Sequence, residues 1–390
     1  MVSDAIDPLD LVDIEGQLGA DERGWRDQVR SFVAEHVSDQ VEQWHEREHF
    51  PVELVRPLGK LGVLGMHLRG YGCAAASAVS YGLACLELEA GDSGLRSFVS
   101  VQGSLVMYAL WRFGSDEHKQ QWLPRMAAGE AVGCFGLTEP LAGSNPAEMR
   151  TSARRGGDDW ILDGHKRWST NGTVADVAIV WARTDEGIRG FVVPTGTPGF
   201  RATPITGKRS LRMSAASELH MEGVRLPAEA VLPDVVGLRG PLSCLNEARF
   251  GVLWGALGAA RACYAAAVEH ARDREQFGRP IGAFQLTQSK LVDMAMELNK
   301  GMLLALHLGR RKDAGTLAHQ QTSLGKLNNT REAIRIARTA RGVLGGDGVT
   351  DRFPVMRHMQ NLESVLTYEG TEEMHTLIIG EAITGLRAYT

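Results

Sequence analysis

Apolar positions recur along this chain in two rhythms. Trp25, Val29, Phe32 and Val33 fall three and four apart, one face of an α-helix, with Asp21-Glu22 ahead of them as capping residues. Phe50-Pro51 ends the next helix, and Gly70, Gly72, Gly91 and Gly94 punctuate two Ala-rich and apolar stretches. Residues 116–128 form a short amphipathic helix. From about 131 to 237 the rhythm changes. Val, Ile, Thr and Trp alternate with polar residues, as in Trp160-Ile161-Leu162 and Val177 to Arg183. Asp158-Asp159, Asp163-Gly164 and Asp185-Glu186-Gly187 mark turns between them, which predicts antiparallel β-structure. From about 242 to 388 the helical rhythm returns in longer runs. Leu291, Met294, Leu298, Met302, Ala305 and Leu308 keep one face over five turns, as in a helix bundle. The expected fold class is therefore α+β, mainly α. It comprises an N-terminal α-helical domain (1–130), a middle antiparallel β domain (131–237) and a C-terminal helical bundle (238–390).

Composition narrows the function. At ~150 residues per domain, 390 residues allow two or three lobes, and 44% apolar with 23% charged residues is ordinary for a globular chain. The net charge of −5 and pI near 6.2 argue against nucleic acid, whose binders carry a basic surplus. No apolar run reaches the ~20 residues of a membrane span. Cys73, Cys85, Cys134, Cys244 and Cys263 are widely spaced, without a Cys-x-x-Cys, and read as reduced thiols. The first 22 residues hold seven acidic side chains and no Lys or Arg, unlike a secretory or transit segment. The expectation is bacterial cytoplasm, or mitochondrial matrix for a processed chain.

Several segments carry chemistry. His45-Glu46-Arg47-Glu48-His49 matches His-Glu-x-x-His, but its highly charged setting favours a solvated helix face over zinc, and no metal is expected. Arg331, Arg335, Arg338 and Arg341 form one basic helix stripe, a solvated or interface face or a polyphosphate contact. Gly345-Gly346-Asp347-Gly348 follows a helix, so it fails the Rossmann context and reads as a C-cap and turn. Leu137 to Ser144 gathers hydroxyls and glycines in one loop, a domain junction or a cofactor loop. Tyr368-Glu369-Gly370-Thr371 places a carboxylate after an apolar helix. Desolvation there would raise its pKa and make it a base near neutrality; standing alone, a glutamate at a helix boundary reads instead as a cap.

Together these segments resemble the acyl-CoA dehydrogenase family over nearly the whole chain. The resemblance is carried by Gly133 to Pro140 with Gly143-Ser144, Arg167 to Asn171, Asp273 to Gly278, Phe284-Gln285-Leu286 and Tyr368 to Thr371. Gly70 to Cys73, Leu88-Glu89, Asp92 to Ser97, Val99 to Gln102, Arg357-His358, Asn361 to Glu363 and Ile383 to Gly385 place it with the decarboxylating members. The resemblance implies a C-terminal four-helix bundle, a homotetramer and one FAD per subunit, with electrons passing to an electron-transferring flavoprotein. The implied reaction is α,β-dehydrogenation of a short dicarboxylic acyl-CoA, with glutaryl-CoA decarboxylated to crotonyl-CoA and CO2.

The resemblance also assigns residues. Glu369 is the base and Tyr368 the residue shared with decarboxylating members. Arg96, with Glu89 and Ser97 nearby, meets the distal carboxylate; otherwise Arg96 is a surface partner of Asp92. An unpaired buried carboxylate costs several kcal/mol, so a guanidinium fork is its natural partner. Asn246 and Arg249 meet the pantetheine and nucleotide, and Ser144 lies between substrate and cofactor. Phe135, Leu137, Thr138 and Ser144 meet the flavin and pyrophosphate, and Trp168 and Thr170 cover the ring. Arg274, Gln276, Phe277 and Gln285 reach the neighbouring subunit's FAD, while Gly345, Gly346, Thr371 and Glu373 border its pyrophosphate and adenosine. Asn145 and Gly342 depart from the common pattern near the phosphates. Two other readings stay open: a desaturase or oxidase acting on a carrier-protein thioester, and a non-catalytic flavin-fold scaffold.

Overall fold

The structure, a computed structural model, describes residues 6–388. Its N-terminal third is helical: α1 (Ile14–Gln17), α2 (Ala20–His36), α3 (Val41–Glu46), α4 (Val55–Leu61), α5 (Ala78–Gly91), α6 (Ser93–Ser100), α7 (Tyr108–Phe113) and α8 (Asp116–Ala127). The amphipathic α2 buries Val29, Phe32 and Val33 against α5. Its cap is Gly19, whose N–H donates to Glu22 Oε2 at 2.8 Å, and not Asp21. Nearly every residue of α5 is buried, because this helix is apolar on all sides and lies between α2 and the bundle. Asp92 separates α5 from α6 and caps α6 through the Gly94 N–H at 2.7 Å. A fully buried π-helical segment, Val101–Met107, joins α6 to α7.

The middle region is a sheet of β1 (Gly133–Gly136), β2 (Ser152–Gly156), β3 (Asp159–Thr170), β4 (Val177–Thr184), β5 (Gly187–Pro194), β6 (Phe200–Pro204) and β7 (Ala216–Leu226). The strand order is β1-β4-β2-β3-β7-β6, with β5 on β4. The expected antiparallel sheet is corrected in one respect: β1 runs parallel to β4, and β2 meets β4 through a parallel pair at Ser152 and Arg183. The long excursion through β2 and β3 lets β1 and β4 align in the same direction, which hairpins cannot do.

The last third holds α9 (Arg239–Asp273), the small hairpin β8 (Glu275–Gln276) and β9 (Arg279–Pro280), α10 (Gln285–Asp313), α11 (His319–Val343), α12 (Val355–Thr367) and α13 (Glu372–Thr384). The 35-residue α9 is the central post, packing on α5, α10, α11 and α12. An 18-residue window of it is apolar enough to cross a membrane, but 78% of that window is buried inside the protein. Glycines let α5 and α9 touch: a Cβ at Gly258 would stand 1.9 Å from the Leu86 carbonyl oxygen. Two long helices at backbone contact hold the end of α5 and the start of α6 against the bundle.

Candidate active site

The contact of α5 with α9 and the end of α12 place a charged cluster inside the protein. Glu89, at the end of α5, and Arg96, in α6, are 0% exposed. Arg96 Nε donates to Glu89 Oε2 at 2.6 Å, and Ser93 Oγ donates to Glu89 Oε1 at 3.0 Å. A second guanidinium nitrogen, Nη2, donates to the Tyr368 hydroxyl, and the guanidinium lies 5.5 Å from that ring's centroid. The third, Nη1, is buried with no partner among the described residues. Arg96 is therefore no surface partner of Asp92. Asp92 instead accepts from Arg357 Nη1 at 2.8 Å and Asn361 Nδ2 at 2.9 Å. Ser97 is buried in α6 beside Arg96.

Tyr368, Glu369 and Gly370 form the turn between α12 and α13. Glu369 (φ 55°) and Gly370 (φ 104°) both lie in left-handed backbone, costly for a glutamate and so held from outside. Two buried cations do this. Lys326, from α11, donates through Nζ to the carbonyls of Tyr368 and Gly370, each at 2.7 Å. Arg249, from α9, donates through Nε to the Glu369 carbonyl at 2.6 Å. The resemblance gave Arg249 to the substrate; in this chain its Nε holds the base's own backbone. Thr371 caps α13, accepting from the Met374 N–H at 3.3 Å. The Glu369 carboxyl oxygen Oε2 is buried and unpartnered.

Burial raises the pKa of Glu369, against the pull of Arg96, Lys326 and Arg249. It raises that of Glu89 too, with Arg96 opposing. Burial pushes Lys326 down to about 7, helped by Arg249 and Arg96 and resisted by Glu369. The cluster thus holds one carboxyl poised as a base and one guanidinium with a free edge, in a dry setting where both are strong. Asn246, on α9, adds a buried, unpartnered Oδ1.

The remaining expected residues separate from this cluster. Phe135 and Leu137 are buried at and after β1 and Thr138 is half-buried, whereas Ser144 is exposed. Lys166 ties that loop down, donating to Leu137 O at 3.1 Å and Glu139 Oε1 at 2.8 Å. Trp168 has a left-handed φ of 63° and is 54% exposed, with Thr170 half-buried beyond it. Arg274, Gln276 and Gln285 are exposed around the β8–β9 turn, whose Phe277-Gly278 pair has both φ positive (55° and 76°). That turn throws Phe277 outward, 94% exposed. Gly345 and Gly346 open a 3-10 turn after α11 and, like Glu373, are exposed.

The His-Glu-x-x-His run does not lie on one helix. α3 ends at Glu46, Glu48 has a positive φ of 52°, and Glu48 pairs with Arg212 at 2.8 Å. Three of the stripe's four arginines pair with carboxylates: Arg331 with Glu372, Arg335 with Glu332 and Arg338 with Glu363. Lys326 is not singled out by the sequence motifs. A signal existed: Thr322, Lys326, Asn329, Thr330 and Ala333 share one buried face of α11, so Lys326 belongs to an interior stripe.

The sequence matches family models for acyl-CoA dehydrogenase: the N-terminal domain over residues 19–130, the middle domain over 134–224 and the C-terminal domain over 236–384. It is 66% identical to a glutaryl-CoA dehydrogenase from Mycobacterium smegmatis, whose crystal structure superposes with a TM-score of 0.97 over 98% of this chain and 99% of that one. A glutaryl-CoA dehydrogenase from Mycobacterium smegmatis in complex with FADH2 is 60% identical, with a TM-score of 0.97 and the same coverage. The mitochondrial short-chain specific acyl-CoA dehydrogenase of Homo sapiens is 34% identical over 352 residues, 88% of this chain and 85% of that protein. With all three domains matched, the chain belongs to the acyl-CoA dehydrogenase family.

Proposed function

We propose that this protein is an FAD-dependent dehydrogenase that converts glutaryl-CoA to crotonyl-CoA and CO2. One observation carries the reading: Arg96 Nη1 and Glu369 Oε2 are both buried and unpartnered in one cluster. A buried guanidinium edge left unsatisfied is costly unless an anion meets it. An acyl chain ending in a carboxylate answers Arg96 and presents its α-hydrogen to Glu369.

The residues around the half-exposed Trp168 fit a flavin. Ser169 Oγ and Asn171 Oδ1 behind it are buried without partners, and Gly345 and Gly346 leave open space where a side chain would project. Phe135, Leu137, Thr138, Ser144, Trp168 and Thr170 would hold its ring and phosphates. When bound, FAD supplies the acceptor for the β-hydrogen and its electron pair. Glu369 takes the α-proton, and its backbone N–H faces the charge developing on the thioester oxygen. The resulting glutaconyl thioester carries its carboxylate on the γ-carbon, in the vinylogous position of a β-keto acid relative to the thioester carbonyl. Cleavage of that carbon–carbon bond releases CO2, the electron pair enters the conjugated thioester, and protonated Glu369 returns its proton to carbon. Tyr368 orients the Arg96 guanidinium throughout.

The exposed Phe277 turn and Leu286, 81% exposed, support a homotetramer in which Arg274, Gln276, Phe277 and Gln285 reach a neighbour's cofactor. Electron-transferring flavoprotein is the proposed acceptor. The test is anaerobic mixing of purified holoprotein with glutaryl-CoA. Flavin bleaching with release of crotonyl-CoA and CO2 is expected. Bleaching only with a carrier-protein thioester moves the protein to the biosynthetic reading, and no bleaching with either leaves a scaffold. Arg96→Met should cost glutaryl-CoA turnover at least ~10-fold more than butyryl-CoA turnover. Equal losses would remove the carboxylate role.

A further inference from the structure

We propose that the middle-domain sheet carries a transition-metal site built from His165, Glu218 and His220, apart from the buried cluster. It rests on strand geometry. β3 and β7 are antiparallel, and His165 and His220 are direct register partners. Glu218 precedes His220 by two positions and so projects from the same face. His165 Nε2 lies 3.1 Å from Glu218 Oε2, and His220 Nε2 lies 3.7 Å from the same oxygen. One ligand atom from each residue falls within 4.8 Å of the other two. Tetrahedral zinc holds its ligand atoms at ~2.0–2.2 Å, which sets them ~3.3–3.6 Å apart, so small ring rotations suffice.

The sheet holds the three side chains in place. The rings stack at 4.4 Å with 19° between planes, on three paired strands and not a mobile loop. Thr203 Oγ1, from β6, is 3.2 Å from His220 Nε2 and is the partner a metal would displace from that nitrogen. Arg167 Nη1 stands 3.3 Å from the other carboxylate oxygen, Glu218 Oε1, orienting the group while leaving Oε2 to the imidazoles. Two imidazoles and one carboxylate suit Zn2+, Ni2+ or Cu2+ and disfavour Mg2+ and Ca2+. Three protein ligands leave one position for water. The positive charges of Arg167 and Arg201 set the affinity below that of a dedicated structural zinc site.

The site also touches the cofactor region. The Arg167 N–H donates to Thr138 O at 2.8 Å, and its guanidinium lies 5.3 Å from the Trp168 ring centroid. The test is isothermal titration of tag-free holoprotein with Zn2+ alone, then with Mg2+ alone. One Zn2+ per chain and no Mg2+ uptake are expected. His165→Gln and His220→Gln should each weaken zinc binding at least ~10-fold, with circular dichroism unchanged. The proposal is overturned if zinc does not bind, or if both folded variants bind it like the parent. Because the readout is metal uptake, it stands or falls independently of activity on glutaryl-CoA.

Discussion

Glu369 is held in a strained backbone by cations that touch its peptide and not its carboxylate. Lys326 bonds the carbonyls on either side, and Arg249 bonds the one between. Charge-assisted bonds of this kind contribute ~1.5–3 kcal/mol each, enough to offset the left-handed φ. Lys326→Met should therefore slow flavin reduction by glutaryl-CoA about 10- to 100-fold, since small misplacements of a base are costly. It should also move the acid limb of the pH–rate profile upward. The sign follows from charge: a cation near Glu369 favours its ionised form, so removing it raises the base's pKa further. Lys326→Arg, which keeps the charge, should restore the limb toward its original place. A slower Lys326→Met enzyme with an unmoved acid limb would reduce Lys326 to scaffolding. At this scale Glu369, Tyr368, Arg96 and Glu89 were legible because they sit in distinctive local motifs. Lys326 was not, because a lone lysine in a helix reads as solvated until its face is known to be interior.

Among elements, the crossing of α5 and α9 decides whether there is a site at all. A Cβ at Gly255 would stand 2.1 Å from Glu89 Oε2, and one at Gly258 would stand 1.9 Å from the Leu86 carbonyl oxygen. Gly258 has an ordinary backbone conformation, so Gly258→Ala tests the crossing without backbone strain. Overpacking should cost ~1–3 kcal/mol, read as a lowered midpoint in urea at unchanged slope. An unaffected midpoint would show that the helices part freely. The same element scale explains the sheet. Local alternation located the β region, but it carries no strand direction, so the parallel β1–β4 pair was invisible in it. The His165–Glu218–His220 cluster was hidden for a related reason. His165 meets Glu218, 53 residues further along the chain, and His220 only through the β3–β7 register.

For the whole molecule, stability should fall with acid. His67 packs its ring 4.6 Å from Tyr81, and both its nitrogens are buried without partners. Burial holds its pKa at about 4, and burial with Lys326 and Arg249 holds that of His375 at about 3. A histidine whose folded pKa is depressed contributes stability that is complete above its unfolded value near 6.5. That stability is lost as pH falls through the window down to the folded value. For His67 the loss from pH 6.5 to 4 is on the order of 3 kcal/mol. Urea unfolding at pH 7.5 and 4.5 should show it, and His67→Gln should flatten the difference; an equal slope in both proteins would refute it.

Periodicity and short motifs are local properties, so the helix–sheet–helix order and the candidacy of Glu369 and Arg96 can be read without a structure. Tertiary structure decided that Arg96 faces Glu89 and Tyr368 and not Asp92, that Arg249 and Lys326 grip the base's backbone, and that β1 runs parallel to β4. The contacts of Arg96 with Tyr368, of Arg249 and Lys326 with the 368–370 backbone, and of β1 with β4 each join residues far apart in the chain. Burial, which sets both the pairing and the pKa values, exists only once the helices and strands have packed.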